Sequence, residues 1–136
     1  MDARRPRTRE VARGVKVFFD GGCRPDPFGM ELAVVIGGRS YLRRDLGPGL
    51  SMDAEWLALI EAMRLAHALD LVDAVLLGDA AAVIGQANGT VRCPPSCVGH
   101  RQAFQSLPRP RGHVRIRYLR RAQNLAGIAL KQLHDR

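Results

Sequence analysis

The chain has 136 residues, 46% of them hydrophobic, with 21 Lys and Arg against 13 Asp and Glu, a formal net charge of +8 and three cysteines. That length carries one domain around a single core, and that composition excludes a wholly disordered chain. Three cysteines exclude a disulfide framework, no N-terminal apolar run has the signal-peptide pattern, and no stretch approaches the ~18 consecutive apolar residues of a membrane span, so a cytoplasmic chain with reduced thiols is expected.

Residues 1–13 hold five arginines without hydrophobic periodicity and read as a flexible basic arm, leaving residues 14–136 as the domain. Val15 to Phe19 is a β-branched and aromatic run that closes on Asp20-Gly21-Gly22, the pattern of a strand breaking into a loop at a carboxylate. Glu31 to Ile36 and Ser40 to Leu46 read as two strands of an antiparallel hairpin turned at Gly37-Gly38. After Pro48-Gly49, Ser51 is placed to cap a helix with Asp53 and Glu55 in its first turn. Leu59, Met63 and Ala66 follow Glu55 at helical spacing, which aims that carboxylate at the rim of the sheet.

Ala74 to Leu77 is a short continuous apolar run, as in a central strand covered on both faces, and Gly78-Asp79 again ends it at a carboxylate. Ala80 to Ala87 reads as a helix stopped by Asn88-Gly89, and a further helix is expected near residues 99–107 within a proline-punctuated segment. Val114 to Leu119 alternates apolar and basic residues, a strand with one cationic face, and Gln123 to Leu133 is a last amphipathic helix. The order βββαβα…βα implies an α/β domain with a five-stranded mixed sheet, three antiparallel strands then two parallel, flanked by helices.

Two strands that end in Asp at one sheet edge, beside a helix that offers a Glu from its first turns, bring Asp20, Glu55 and Asp79 to one place. Open α/β sheets bind ligands there. Three close carboxylates repel one another unless a divalent cation neutralises them, and an all-oxygen set favours Mg²⁺ or Mn²⁺ over Zn²⁺. Charge along the chain agrees. Residues 1–52 carry +4, residues 53–91 carry −5 and residues 92–136 carry +9, an acidic middle in a basic frame that suits a polyanion as well as it suits solvated charged faces.

The residues Phe19-Asp20-Gly21-Gly22-Cys23 with Asp26-Pro27-Phe28-Gly29, Ala54-Glu55-Trp56-Leu57-Ala58-Leu59, Leu77-Gly78-Asp79 and Arg121-Ala122-Gln123-Asn124 resemble, in order and register, the motifs of the type 1 ribonucleases H. The resemblance spans about residues 14–133 and implies a ribonuclease H-like fold. It also implies two-metal hydrolysis of the RNA strand of an RNA–DNA hybrid, with Asp20 between the two ions and Glu55 and Asp79 holding them from either side. Gly21, Gly22, Cys23, Arg24, Ser51, Arg121 and Asn124 are the implied nucleic-acid contacts. Four positions after Asn124, where the family carries a fourth acidic residue, stands Ile128. Asp26 replaces a loop Asn, Phe28 a Gly, and Ala80 a small polar residue. These departures imply a slow or Mn²⁺-preferring enzyme, or alternatively a nuclease-inactive module that binds hybrid or other nucleic acid.

Other features read more plainly. A phosphatase of the strand Asp-x-Asp type lacks its second Asp, because Gly22 stands there. Cys93, Cys97 and His100 fall short of the four ligands of structural zinc. His67, His113 and His134 read as surface or satisfied core residues, Trp56 and Tyr118 as packing groups, and Asp45, Glu61, Asp70 and Asp73 as solvated charges. Asp53 is expected to be structural, and Arg115, Arg117, Arg120 and Arg121 to form a cationic surface. A monomer without an obligate protein partner is expected.

Overall fold

The computed structural model describes residues 13–134, and it builds one five-stranded sheet in the order β3-β2-β1-β4-β5. Strands β1 (Lys16–Arg24), β2 (Gly29–Ile36) and β3 (Arg39–Arg43) form an antiparallel meander, and β4 (Val75–Gly78) and β5 (Arg115–Tyr118) add to β1 in parallel. Helices α1 (Ser51–Ala68), α2 (Ala81–Asn88), α3 (Val98–Gln105) and α4 (Leu125–His134) complete the order expected from the sequence. No described helix is long and apolar enough to cross a membrane.

The alternation of the strands divides the core into two layers. Val17, Phe19, Leu32, Val34, Leu76 and Ile116 face α1 and its neighbours in the larger cluster, whereas Phe18, Ala33 and Val35 face Ala126 and Leu130 of α4. At the centre of the first layer Trp56 is fully buried, stands edge-on to Phe104 at 5.9 Å and donates its indole N–H to Gln86 Oε1 at 2.9 Å. On the other side His134, in the last turn of α4, meets the buried Glu31 carboxylate at 2.6 Å and anchors the helix end to β2.

Several expectations need correction. β1 does not stop at Asp20: it runs on to Arg24, because residues 20–24 pair with β2 after the pairing with β4 has ended at Phe18. β3 ends at Arg43 rather than at Leu46, whose amide instead bonds Met30 O across the loop at 3.0 Å. Leu50, not Ser51, is the N-cap of α1, and its backbone N–H donates to Asp53 Oδ2 at 2.9 Å, which gives Asp53 its structural task. Before α4, a 3₁₀ turn over Arg121–Gln123 delays the helix to Leu125. Glu61 is buried against Arg64 and Arg43 rather than solvated, and Tyr118 is exposed rather than packed. The expected arm lies outside the described residues except for Arg13, which belongs to the fold: it bridges Val72, and its guanidinium lies 3.4 Å from Asp73.

Candidate active site

β1 and β4 part company at the candidate site. Their register pairs Phe18 with Leu77 and ends there, and Asp20 and Asp79 each follow two residues further on, beyond the last pair of the two strands. Asp20 is anchored on its other side by the pairing of β1 with β2, opposite Ala33. Glu55 arrives from α1, which is drawn onto β1 at Gly21. A Cβ there would stand 2.1 Å from Ala54 O, so only glycine lets the helix backbone come this close. Asp20, Glu55 and Asp79 open on one cavity of about 590 Å³, which Gly21, Gly22 and Ser51 line from one side and Arg121, Ile128 and Lys131 from the other.

The electrostatics record the crowding. Burial, then the charges of Asp79 and Glu55, push the Asp20 carboxyl from 3.8 up to about 7, against the opposing pull of Arg121 and of the Gly21 backbone N–H. Burial and Asp79 raise Glu55 as well, with Arg121 again opposing. Three oxygen-only ligands that penalise one another's charge are a donor set suited to a hard dication. The carboxylates share a cavity wall but are not drawn into a cage: among the described residues no three acidic, histidine or cysteine side chains already grip one point.

The remaining residues divide clearly. Arg121, Gly21, Gly22 and Ser51 line the cavity, whereas Cys23 and Arg24 lie beyond it on the exposed end of β1. The Cys23 thiol donates to Gly49 O at 3.1 Å and is raised above its usual value by burial and by Asp53 and Glu55, so it is a loop contact and not an activated thiolate. Asn124, expected to touch nucleic acid, is fully buried: its Nδ2 donates to Phe19 O at 3.0 Å and to Asp79 Oδ2 at 3.1 Å, while its Oδ1 accepts from Ala126 N–H at 3.1 Å. It thus caps α4, closes a buried strand carbonyl and orients a site carboxylate. The sequence does not reveal this role, because a polar residue ahead of a helix looks the same whether it faces water or the core. Lys131 is the converse case, a cavity residue three positions after Ile128 on the same helix that the sequence reading did not place in the site. His100 is committed to Asp53 Oδ1 at 2.9 Å and not to Cys93 or Cys97.

Known structures share this fold. The chain is similar to the N-terminal RNase H domain of Rv2228c from Mycobacterium tuberculosis, with 22% identity and a TM-score of 0.73 over 90% of this chain and 96% of that one. RNase H1 from Halobacterium salinarum NRC-1 gives 26% identity and a TM-score of 0.73 over 92% of this chain and all of the other. The chain has a type 1 ribonuclease H-like fold. LC11-RNase H1, solved in complex with an RNA/DNA hybrid, shares this ribonuclease H-like fold at 21% identity, with a TM-score of 0.63 over 81% of this chain and 88% of that one. No family model and no curated protein matches the sequence.

Proposed function

We propose that this ribonuclease H-like chain is a divalent-metal-dependent endonuclease that hydrolyses the RNA strand of RNA–DNA hybrids. One observation carries the reading: Asp20, Glu55 and Asp79 come from three separate elements to a single cavity at the edge where β1 and β4 diverge, facing Arg121. Packing does not need that trio, and its mutual repulsion works against the fold.

Asp20, Glu55 and Asp79 would hold Mg²⁺ or Mn²⁺, which when bound supplies an acidified water and neutralises charge on the departing oxygen. The chain does the rest. Asn124 fixes the direction of Asp79 through its 3.1 Å bond to Oδ2. Arg121 offers a permanent cation to the phosphate, where its planar fork suits two oxygens at once. Gly22 leaves open space where a Cβ would stand, which lets a sugar edge approach the β1 backbone so that a 2′-hydroxyl can be read there. Arg24, exposed at the end of β1, extends the contact toward flanking phosphates.

Ile128 favours a second reading. It lines the cavity and is 40% exposed, an apolar side chain where a carboxylate would add a metal ligand, so the domain could hold hybrid without turnover. Cleavage of an end-labelled hybrid in Mg²⁺ and in Mn²⁺, alongside the Asp20→Asn protein, separates the two. Product from the wild type alone supports the nuclease. Binding without product in any divalent ion selects the inactive module, and equal product from both proteins means a contaminating nuclease. Loss of both cleavage and binding removes both readings.

A further inference from the structure

α4 covers only part of its side of the sheet. It packs on β1, β2 and β3, while the helices that reach β4 and β5, namely α1 and α2, do so on the opposite face. Register then fixes what the uncovered part presents. Lys16 pairs with Val75 and Val75 with Arg115, and Phe18 pairs with Leu77 and Leu77 with Arg117, so these six residues form two rows on one face. A groove lies there, floored by the half-buried Phe18 and Leu77, bounded by Leu119 and Gln123, and entered beside Lys16. Its rim on β5 consists of Arg115 and Arg117, both exposed.

Dimensions and charge select the occupant. From β1 to β5 is two inter-strand spacings, about 10 Å. That is enough for one nucleotide strand and less than a duplex, whose major groove alone spans about 12 Å. Apolar floor and cationic rim together match bases laid against hydrophobic side chains with phosphates at guanidinium groups. A second copy of the chain, at a net charge of +8, and the arginine-rich residues 1–12 both carry the wrong sign. The groove also neighbours the site: Phe18 and Leu77 precede Asp20 and Asp79 by two residues, about 7 Å along an extended chain, and Leu119 and Gln123 flank the cavity residues Arg121 and Ala122 in sequence.

We propose that this face seats a single-stranded segment of the substrate leading to or from the catalytic cavity, so that hybrids with a single-stranded RNA tail are the preferred substrates. The proposal rests on the nuclease reading and narrows its substrate class. Arg115 also lies near Asp73, which the His113 backbone N–H and Arg13 already hold, so the rim arginines remain available to phosphate.

The test is fluorescence anisotropy in EDTA, where nothing is cleaved. The probes are a blunt hybrid, the same hybrid with a single-stranded RNA tail of about 10 nucleotides on its 5′ or 3′ end, and the tail alone. A tail on one of the two ends is expected to tighten binding roughly tenfold, with a salt dependence steeper by about 1.4 in slope for two phosphates neutralised. The double variant Arg115→Ser, Arg117→Ser should lose that gain and keep its affinity for the blunt hybrid. No gain from a tail at either end overturns the proposal. So does an equal loss by the double variant on blunt and tailed probes, or capture of an acidic peptide by the face with RNA unaffected. If no hybrid binds but the tail alone binds through the two arginines, the groove stands and the nuclease reading falls.

Discussion

Replacing Asp20 by Asn should make the metal-free protein more stable while it removes cleavage. The Asp20 carboxyl stands at about 7 in the folded chain against 3.8 ordinarily, chiefly through burial and then through Asp79 and Glu55. An acid raised in this way favours the folded state fully below its unfolded value, and that contribution is lost as pH rises through about 7. Each pH unit of the rise is worth about 1.4 kcal/mol, so ionised Asp20 costs at most about 4 kcal/mol, and about 2 if its contact with solvent halves the effect. An amide carries no such charge. In EDTA at pH 8 the Asp20→Asn protein should therefore be more stable by about 2–4 kcal/mol, raising the thermal midpoint by roughly 10 °C. At pH 5 the wild-type carboxyl is protonated in the folded state, and the gap should shrink to about 1–2 kcal/mol. Urea denaturation of both proteins at the two pH values measures this. Equal stability at pH 8, or a gap that does not narrow at pH 5, would refute the claim that the trio repels.

The two adjacent glycines should behave oppositely. Gly21→Ala drives a Cβ to 2.1 Å from Ala54 O and must part β1 from α1, so a loss above ~3 kcal/mol in urea titration is expected, whereas Gly22→Ala meets open space, folds normally and weakens hybrid binding. Asn124→Ala strands the Phe19 carbonyl, uncaps α4 and frees Asp79, which should cost about 2–4 kcal/mol by denaturation. Ile128→Asp places a fourth carboxylate on the cavity wall; isothermal titration should show Mn²⁺ affinity rising about tenfold, with metal-free stability falling by about 1 kcal/mol because the new charge joins three others. An unchanged Mn²⁺ affinity would mean that position 128 does not face the ion.

The fold was legible where one physical signal acted alone. Alternation and apolar runs marked all five strands, and Gly37-Gly38 marked the β2–β3 hairpin, because burial of one sheet face leaves a period of two and burial of both leaves an unbroken apolar run. The boundaries that were misplaced are those set by a distant partner. β1 looked finished at Asp20-Gly21-Gly22, since a carboxylate and two glycines are loop-forming residues, yet the ladder to residues 29–33 of β2 holds them extended. The exception is the cap of α1, where Asp53 reaches back three residues to the Leu50 backbone and no local preference distinguishes that from the hydroxyl of Ser51 acting forward.

The site shows the same division at a finer scale. Asp20 and Asp79 could be foreseen as neighbours because each follows the apolar run of one strand of a parallel pair, and Glu55 because helical periodicity ties it to an apolar stripe. What that reasoning could not supply is the electrostatic cost of the site. The three carboxylates line one cavity wall, each ionisable and half-buried, so their mutual repulsion opposes the packing that draws β1, β4 and α1 together. The same balance explains Asn124. A carboxylate in that company needs a fixed neutral donor more than another charge, and an amide can give one N–H₂ to Asp79 and to the Phe19 carbonyl while its oxygen starts α4, three bonds that only the folded chain brings within reach.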